Sequence, residues 1–542
     1  ILDTGLKHHT GGDLTTAEGL YRDALKTYPD HPAALHLLGV IAYQRGQLDN
    51  AVDLITQALA ISPDFAEAHN NLGNVYRDQG NLDEAATSYG KALDINPEYV
   101  KAHNNLGLVL KDQGNLKEAI PRIRQAIALD PDYAEAYSNL GVALKEQGNI
   151  DEAVASYGQA LAIRPDYADA HNNLGNALRW SGRVDEAVEN FQKALALQPA
   201  NANAHSNLGN ALKDLGKFDE AAASYQKALD INPDYAEAHT NIGLLHLLRG
   251  HFEEGWEDYA WRWLENDSPS RRQDLTAPLW DGSDLDGKTI YLYAEQGLGD
   301  VIQFVRFMPL VADRGGRVIL ELPPKLDALL RGVEGADTFV SDGDPMPAID
   351  CHAPLLDLPG LLKTTVATIP SRESYLTVEP GLVEKWAERL GPKEDFRVGI
   401  IWGGNPGQTA DRTRSMDPAL LKPLTEIPGI TVYSLQFGRD GEAAKYFGDA
   451  VIDIGPELTP LTEAAAAVMN LDLVVTVDTS SAHLSGALGR PVWTLLSFIP
   501  DWRWLLDRDD TPWYPSMRLF RQQQPGDWDG VIERVREALI NR

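Results

Sequence analysis

The hydrophobic and polar positions in the first half of the chain repeat with a fixed period of 34 residues. Within one period, Ala85, Tyr89 and Ala92 have the spacing of one buried helix face, and polar residues lie between them. Prolines keep the same period at Pro29, Pro63, Pro97, Pro131, Pro165, Pro199 and Pro233. Each period therefore predicts two antiparallel helices, A and B, with the proline ending helix B.

Two series of glycines keep this period and predict how the helices of a repeat pack and end. The first series comprises Gly39, Gly73, Gly107, Gly141, Gly175, Gly209 and Gly243. The second comprises Gly46, Gly80, Gly114, Gly148, Gly182, Gly216 and Gly250. We expect the first series to allow close approach of helices A and B, and the second to end helix A.

The pattern resembles the tetratricopeptide repeat, whose motif positions correspond here to Leu72, Gly73, Tyr76, Ala85, Tyr89, Ala92 and Pro97. We therefore predict an N-terminal all-α tetratricopeptide superhelical solenoid over residues 1–267. It would hold about seven repeats, partial at each end, and its aromatic-rich last repeat would dock onto the C-terminal half of the chain.

An asparagine also recurs at this step on the predicted helix A. The series comprises Asn71, Asn105, Asn139, Asn173, Asn207 and Asn241. One interpretation makes these residues acceptor-binding: their amides would line the concave wall and bind the backbone of an extended peptide. In this respect the series is similar to the asparagine ladder of the O-GlcNAc transferase solenoid. The other interpretation assigns them to the repeat consensus, where they tighten helix packing, and the sequence leaves both open.

Histidines recur at the same step, at His69, His103, His171, His205 and His239. Neighbouring repeats would place them about 10 Å apart, the thickness of a helix layer, which is too far for shared metal coordination. We interpret them as groove-lining residues.

From about residue 286 the period ends, and short β-rich runs alternate with helical stretches. This alternation predicts parallel sheets covered by helices, so we expect a C-terminal α/β region. We place a connector at 268–287, a first Rossmann-like half on the acceptor side at 288–385, and a second half on the donor side at 386–542. Ligands of such sheets bind at the carboxyl ends of the strands, so the chemistry should lie between the two halves.

Three loops that come after predicted strands carry candidate chemistry. They contain Gly297, Gly299 and Asp300; then Gly403, Gly404, Asn405, Arg412 and Arg414; then Asp478, Thr479, Ser480, Ser481 and His483. Glycines allow a tight turn into a helix, arginines suit phosphate oxygens, and a hydroxyl-rich helix N-terminus suits a pyrophosphate. Taken singly, the loops are also explained as helix caps, surface arginines and a core histidine.

Taken in order, the loops resemble those of GT-B glycosyltransferases, and most closely the ADP-heptose:lipopolysaccharide heptosyltransferase family. The G-D-[VI] motif of that family corresponds to Gly299, Asp300 and Val301. Its D-[TS]-x-x-x-H-x-x-x-A-L-x-x-P motif corresponds to Asp478 through His483, followed by Ala487, Leu488 and Pro491. The resemblance covers about residues 288–540. Two features depart from the family: Arg412 or Arg414 stands where a lysine is usual, and the loop 497–522 differs.

The resemblance implies a GT-B fold of two Rossmann-like halves in which Asp300 is the catalytic base for an acceptor hydroxyl. It also implies donor binding by Gly297, Gly299, Gly403, Gly404, Asn405, Arg412, Arg414, Gln436, Asp478, Thr479, Ser480, Ser481 and His483. The nucleotide-sugar donor is a substrate, and no cofactor or metal is expected.

A solenoid joined to such a domain is similar to bacterial relatives of O-GlcNAc transferase and to flagellin glycosyltransferases that carry tetratricopeptide repeats. This likeness implies transfer of a sugar to a Ser or Thr hydroxyl of a protein acceptor held in the solenoid groove. Two alternatives stay open: a non-catalytic tetratricopeptide scaffold with a degenerate glycosyltransferase-like domain, and a heptosyltransferase-like enzyme acting on a glycan.

The amino-acid composition excludes several classes of binding partner and site. The 542 residues hold 48 Lys and Arg against 79 Asp and Glu, a formal net charge of -31, so the chain lacks the basic field that nucleic acid or anionic membranes require. The single cysteine, Cys351, excludes an internal disulfide and zinc sites built from several cysteines. No apolar run approaches the length of a membrane span, and we expect a cytoplasmic protein.

Overall fold

The computed structural model describes residues 1–265, 272, 274–295, 297–341, 343–404, 411–439 and 441–542, without the side chain of Arg412. The chain divides into two compact units, Ile1–Ile231 and Asn232–Arg542. The first unit is helical throughout, and the second combines a helical hairpin with two parallel sheets.

The first unit is a row of antiparallel helical hairpins, as the 34-residue period predicts. Its helices are α1 (Leu2–Thr10), α2 (Leu14–Thr27), α3 (Pro32–Gln44), α4 (Leu48–Ile61), α5 (Ala66–Asp78), α6 (Leu82–Ile95), α7 (Val100–Asp112), α8 (Leu116–Leu129), α9 (Ala134–Glu146), α10 (Ile150–Ile163), α11 (Ala168–Trp180), α12 (Val184–Leu197), α13 (Ala202–Asp214) and α14 (Phe218–Ile231). Alanines and aromatic residues of the repeat, such as Ala85, Tyr89 and Ala92, are fully buried between the helices.

The roles predicted for the two glycine series are confirmed. A Cβ atom on Gly73 would stand 2.6 Å from the Tyr89 ring, so helices α5 and α6 approach as closely as they do only because this position is glycine. Gly80 comes after α5 with a φ of +79°, a left-handed conformation in which side chains other than glycine are strained.

The last hairpin belongs to the second unit. It consists of α15 (Ala236–Leu248) and α16 (Phe252–Tyr259), with a 3-10 turn after it at Ala260–Leu264. The sequence places the end of the solenoid at residue 267, whereas the compact units divide after Ile231, because this hairpin packs on the α/β part. The indole of Trp256 donates to the carbonyl oxygen of Thr364 at 2.9 Å, and its ring lies 5.2 Å from that of Trp502.

The first sheet is parallel and has four strands in the order β3-β2-β1-β4. The strands are β1 (Thr289–Tyr293), β2 (Arg317–Leu322), β3 (Thr338–Ser341) and β4 (Cys351–Pro354). The helices of this half are α17 (Leu298–Phe304), α18 (Met308–Ala312), α19 (Asp327–Leu330) and α20 (Leu358–Leu361). The order of the strands reverses between β1 and β4, and α17 begins at the carboxyl end of β1.

The second sheet is parallel and has six strands in the order β10-β9-β8-β5-β6-β7, which is the order of a doubly wound Rossmann sheet. The strands are β5 (Phe396–Ile401), β6 (Ile430–Ser434), β7 (Ile452–Asp453), β8 (Leu473–Val477), β9 (Val492–Leu496) and β10 (Met517–Arg521). The helices are α21 (Pro380–Leu390), α22 (Asp411–Arg414), α23 (Lys422–Thr425), α24 (Glu442–Phe447), α25 (Leu461–Met469), α26 (Ser480–Ala487) and α27 (Trp528–Ile540). The order reverses between β5 and β8.

Short 3-10 turns connect several of these elements. They lie at Val305–Phe307, Leu355–Asp357, Val366–Thr368, Pro418–Leu421, Gly448–Ala450, Gly455–Glu457 and Trp502–Trp504. The segment 497–522, interpreted from the sequence as a loop, therefore contains both a 3-10 turn and strand β10. Across the described ranges, no helix combines the length and the apolar content that crossing a membrane requires.

Candidate functional site

The N-terminal turns of α17 and α26, one from each sheet, pack against each other. A Cβ atom on Gly299 would stand 2.9 Å from Cδ2 of His483 and 3.4 Å from Cα of Ser480. A larger residue at 299 would push the two helices apart. The first and third candidate loops of the sequence thus come together where β1 and β8 end, at the reversal points of both sheets.

Asp300 lies in the first turn of α17, with 19% of its side chain exposed. Burial raises the pKa of its carboxyl group above the ordinary value, and the guanidinium of Arg503 acts in the opposite direction. Such a carboxylate is a stronger proton acceptor than one in water, while a neighbouring cation keeps its charged form accessible.

Arg503 is a site residue that the sequence reasoning missed. Its guanidinium donates to Asp300 at 2.5 Å, to Asp501 at 2.9 Å and to the side-chain oxygen of Gln303 at 2.7 Å. The side chain is 9% exposed, and burial works against its charge, but Asp501 and Asp300 outweigh burial and raise its pKa. The segment around it has no periodic pattern, so its proximity to Asp300 could not be seen in the sequence.

Asp478, Thr479, Ser480 and Ser481 form the entrance to α26. The hydroxyl oxygen of Thr479 accepts from the backbone N–H of Ser481 at 3.3 Å and caps the helix. Burial, and after it the charge of Asp501, raises the pKa of Asp478 above its usual range, and Arg414 and Arg503 counteract this shift. A helix N-terminus with two serines and nearby arginines is suited to holding phosphate oxygens.

His483 is buried one turn further along α26 and is held by a network of side chains. Its Nδ1 lies 2.9 Å from the Tyr514 hydroxyl, and its ring stacks on Trp504 with the centroids 5.3 Å apart. Arg306 donates to the Tyr375 hydroxyl at 2.9 Å and lies 4.3 Å above the Tyr514 ring. Burial lowers the pKa of His483 well below its usual value, so the imidazole is neutral at pH 7.

The loop after β5 is held in place from within the second sheet. The amide of Gln436 accepts from the backbone N–H of Gly403 at 3.0 Å and donates to its carbonyl oxygen at 3.0 Å. Gln436 is 6% exposed. This predicted donor-binding residue therefore lies behind the loop and holds its backbone in place.

Asp411 also holds this loop in place, and it is a second residue that the sequence did not reveal. Its carboxylate accepts from the backbone N–H of Gly404 at 2.9 Å and from Arg439 at 3.1 Å. Nε of Arg414 lies 3.8 Å from it, and the Arg414 side chain is 25% exposed. The positive charge of Arg414 lowers the pKa values of both Asp300 and Asp478, against the effect of burial. Asn405 and the side chain of Arg412, also predicted to bind the donor, lie outside the described residues.

Residues of the last hairpin reach the same region. Arg262 donates to Glu295 at 2.9 Å and to Asp357 at 2.5 Å, and its side chain is 9% exposed. Burial raises the pKa of Glu295 to about 7, although Arg262 opposes the shift. Burial raises the pKa of the Tyr259 hydroxyl above its ordinary value, and the charges of Arg262 and Arg503 oppose the shift. The last repeat is thus part of the structure around Asp300.

The asparagine series forms hydrogen bonds between repeats. Within the described residues, four of its six members donate from Nδ2 to the side chain 35 positions earlier. These bonds are Asn71 to His36 at 2.8 Å, Asn105 to Asn70 at 3.2 Å, Asn139 to Asn104 at 3.0 Å and Asn207 to Asn172 at 3.0 Å. For Asn173 and Asn241 the residues 35 positions earlier are serines, Ser138 and Ser206. These contacts support the packing interpretation, and peptide binding by the series stays a prediction.

The five histidines form one recurring hydrogen bond, and groove lining by them stays a prediction. The Nε2 atoms of His69, His103, His171, His205 and His239 lie 2.8–3.1 Å from the carbonyl oxygen of the proline six residues earlier. Because a carbonyl oxygen only accepts, Nε2 carries the proton. Each histidine therefore ties helix A to the turn before it.

Among the residues that the structure describes, no three His, Cys, Asp or Glu side chains are grouped so that they could hold a metal ion. The charged groups around Asp300 are instead paired with arginines. The arrangement can bind an anion at the α26 N-terminus and accept a proton at Asp300.

Comparison with known families identifies the repeats. Residues 2–207 match the family model of the cilia and flagella-associated protein 70 C-terminal domain, and residues 209–250 match the model of the TPR repeat. The hairpins are therefore tetratricopeptide repeats, as predicted. Stacked repeats of this kind present extended surfaces that bind peptides or proteins.

The chain is also similar to Protein FlbA of Caulobacter vibrioides, with 29% identity over 324 residues. The match covers 54% of this chain and 53% of that protein, so the chain spans about half the length of this curated relative.

Several solved structures are similar to part of this chain. MamA is 31% identical with a TM-score of 0.28, over 31% of this chain and 97% of that one. A tetratricopeptide repeat protein from Parabacteroides merdae ATCC 43184 is 20% identical with a TM-score of 0.38, over 45% of this chain and 96% of that one. YrrB, a TPR protein with an unusual peptide-binding site, is 24% identical with a TM-score of 0.29, over 34% of this chain and 95% of that one.

Proposed function

We propose that this chain is a glycosyltransferase of the GT-B type that moves a sugar from a nucleotide-sugar donor to a Ser or Thr hydroxyl of a protein. The observation that carries the proposal is the packing of the α17 turn that holds Asp300, through Gly299, against the N-terminus of α26 where the two parallel sheets reverse their strand order. A proton acceptor and an anion-binding helix terminus at one point are what transfer from a nucleotide diphosphate needs.

In the proposed reaction, the acceptor hydroxyl oxygen attacks the anomeric carbon of the sugar, and Asp300 takes the hydroxyl proton. The bond between the anomeric carbon and the phosphate oxygen breaks, and the nucleotide diphosphate leaves with the electron pair. Arg414 and the N–H groups at the start of α26 stabilise the negative charge that develops on the leaving phosphate. Arg503 holds the Asp300 carboxylate in one orientation. This route uses no metal ion.

The repeats support a polypeptide as the acceptor, because stacked tetratricopeptide hairpins bind extended chains. The acidic composition fits neither a nucleic acid nor an anionic lipid surface as partner. We propose that the enzyme works in the cytoplasm, where nucleotide sugars are available and its single cysteine stays reduced.

The variant Asp300→Asn tests the base. It should abolish transfer while leaving nucleotide binding intact, because it removes the proton acceptor and preserves the size of the side chain. UDP, GDP, CMP and ADP are first screened for the one that raises the Tm, and the matching nucleotide sugars are then assayed for transfer. Near-normal turnover by Asp300→Asn would exclude Asp300 as the base. No rise in Tm with any of the four nucleotides, together with capture of a protein, would favour the non-catalytic scaffold.

A further inference from the structure

A cavity of about 550 Å³ lies inside the second unit, between the last repeat hairpin and the carboxyl end of β4. One wall is a single face of α16 and the turn after it, formed by Glu253, Trp256, Glu257 and Ala260. These residues are three, four and seven positions apart, the spacing of one helix face. The opposite wall is the segment 360–365 at the end of α20 and beyond it.

The walls are tied to each other by specific contacts. The Trp256 indole donates to the carbonyl oxygen of Thr364, and a Cβ atom on Gly360 would stand 3.2 Å from Cβ of Trp256. A third wall contains Trp280, whose backbone N–H donates to the carbonyl oxygen of His352 on β4 at 2.8 Å. The cavity is therefore part of the folded unit, and its volume is in the range of ligand sites, about 300–1,000 Å³.

The lining combines an apolar interior with charged groups at the opening. Apolar surface comes from Trp256, Trp280, Leu356 and Leu361, together with Pro354 and Tyr259. Glu253 and Glu257 are exposed on the α16 side, and Lys363 is exposed on the opposite side. At the floor, Arg262 and Asp357 form an ion pair with each other. Negative charge is thus in excess at the opening.

The cavity adjoins the site around Asp300 through residues that belong to both. Tyr259 and Arg262 line the cavity, and Arg262 also binds Glu295, which stands five residues before Asp300. The charge of Asp300 contributes to the shifted pKa values of Glu295 and Tyr259. A chain whose hydroxyl reacts at Asp300 could therefore place a neighbouring side chain in the cavity.

We propose that this cavity anchors the acceptor polypeptide: it takes an apolar side chain, and a Lys or Arg of the same polypeptide pairs with Glu253 and Glu257. Charge complementarity at the opening selects a basic rather than an acidic partner. The last tetratricopeptide repeat contributes one wall of the cavity. This favours a polypeptide as the ligand, because such repeats bind peptides and proteins. The inference rests on the proposed function for the identity of the bound chain as the acceptor.

The test measures binding of two fluorescein-labelled peptides to the full chain by fluorescence anisotropy, without nucleotide. One peptide is Gly-Lys-Leu-Ser-Leu-Lys-Gly, and in the other both lysines are glutamates. We expect the basic peptide to bind at least about tenfold more tightly than the acidic one. Ala260→Trp, which fills the cavity from an exposed position, should weaken binding of the basic peptide about tenfold, and so should Glu253→Lys combined with Glu257→Lys.

Glu254→Lys is the matched control, because Glu254 is exposed on the same helix but does not line the cavity. It makes the same charge change and should alter binding less than about twofold. Equal binding of the two peptides, no loss with Ala260→Trp, or an equal loss with Glu254→Lys would overturn the proposal. The variant Asp300→Asn distinguishes a failure of the cavity proposal from a failure of the proposed function. It should bind the basic peptide as the wild-type chain does, whether or not the wild-type chain transfers a sugar.

Discussion

The guanidinium of Arg503 donates to the carboxylate of Asp300 at 2.5 Å, although the two residues are 203 positions apart in the chain. Arg503 lies in the 3-10 turn Trp502–Trp504 of the second sheet's region, and Asp300 lies in the first turn of the helix after the first strand of the other sheet. The ion pair therefore joins the two α/β halves at the proposed reaction centre.

Replacing Arg503 by Met should shift the pH dependence of transfer. Burial raises the pKa of Asp300 and Arg503 opposes that shift, so its loss raises the pKa further. Asp300 accepts a proton only when ionised, and the rate falls as pH falls through its pKa. The acid limb of the pH–rate profile should therefore move to higher pH by about 1–3 units. Arg503→Lys should give an intermediate profile, and superimposable acid limbs would contradict the role.

Gly299→Ala should disturb the packing of α17 on α26. The added Cβ would stand 2.9 Å from Cδ2 of His483, and relieving that contact costs about 1–3 kcal/mol of stability. We expect a lower Tm and a smaller increase in Tm on adding nucleotide. Gly381→Ala in α21 is the control, because Gly381 is not a candidate site residue and its added Cβ would meet only Glu379 Oε1 at 3.8 Å, an ordinary contact. Equal behaviour of the two variants would mean that the helices do not need this close approach.

Arg414→Ala should weaken nucleotide binding by about 1.5–3 kcal/mol, the value of a hydrogen bond to a charged group. The charge of Arg414 lowers the pKa values of Asp300 and Asp478, and a quarter of its side chain is exposed. Isothermal titration calorimetry with the nucleotide that raises the Tm measures the difference. Lys422→Ala, which removes an exposed cation of α23, should leave the affinity unchanged. Unchanged affinity in Arg414→Ala would remove this residue from the donor site.

Asn105→Ala decides between the two interpretations of the asparagine series. Its Nδ2 donates to Asn70 and to Asn74, both at 3.2 Å, so the variant should lose about 1–2 kcal/mol of stability. Asn173→Ala should lower the stability less. The residue 35 positions before Asn173 is Ser138, whereas the residue 35 positions before Asn105 is its hydrogen-bond partner Asn70. Thermal unfolding of both variants gives the comparison. Loss of protein capture in both, without a difference in Tm, would support peptide binding instead of packing.

Glu295→Gln should stabilise the protein at pH 7.5 but not at pH 4. The folded chain keeps the proton on Glu295 up to about pH 7, whereas the ordinary value is 4.5. Between these values the folded state binds more protons than the unfolded state, so stability falls as pH rises from 4.5 to 7. The pKa shift of Glu295 corresponds to an increase on the order of 3 kcal/mol in the free energy of unfolding of the variant above pH 7. The Tm of both proteins across this range measures it, and parallel curves would contradict it.

The 34-residue period was enough to predict the helical hairpins of the first half. The left-handed conformation of Gly80 and the burial of Tyr89 both depend on neighbours within one repeat. The same holds for the parallel strands of the second half, whose apolar runs end at turn residues. These are short-range preferences that each stretch of sequence carries with it. The candidate loops at Asp300 and Asp478 could be predicted from them, since parallel strands bring their carboxyl ends to one edge.

Tertiary structure alone decided which side chains stand around those loops. Arg503 reaches Asp300 from a segment without periodicity, and Arg262 reaches Glu295 from the last repeat, because the hairpin α15–α16 packs on the sheets. It also decided that Gln436 supports the loop at Gly403. Pairing between buried charges depends on distances across the fold, and residues remote in the chain carry no local signal of the partner they will meet.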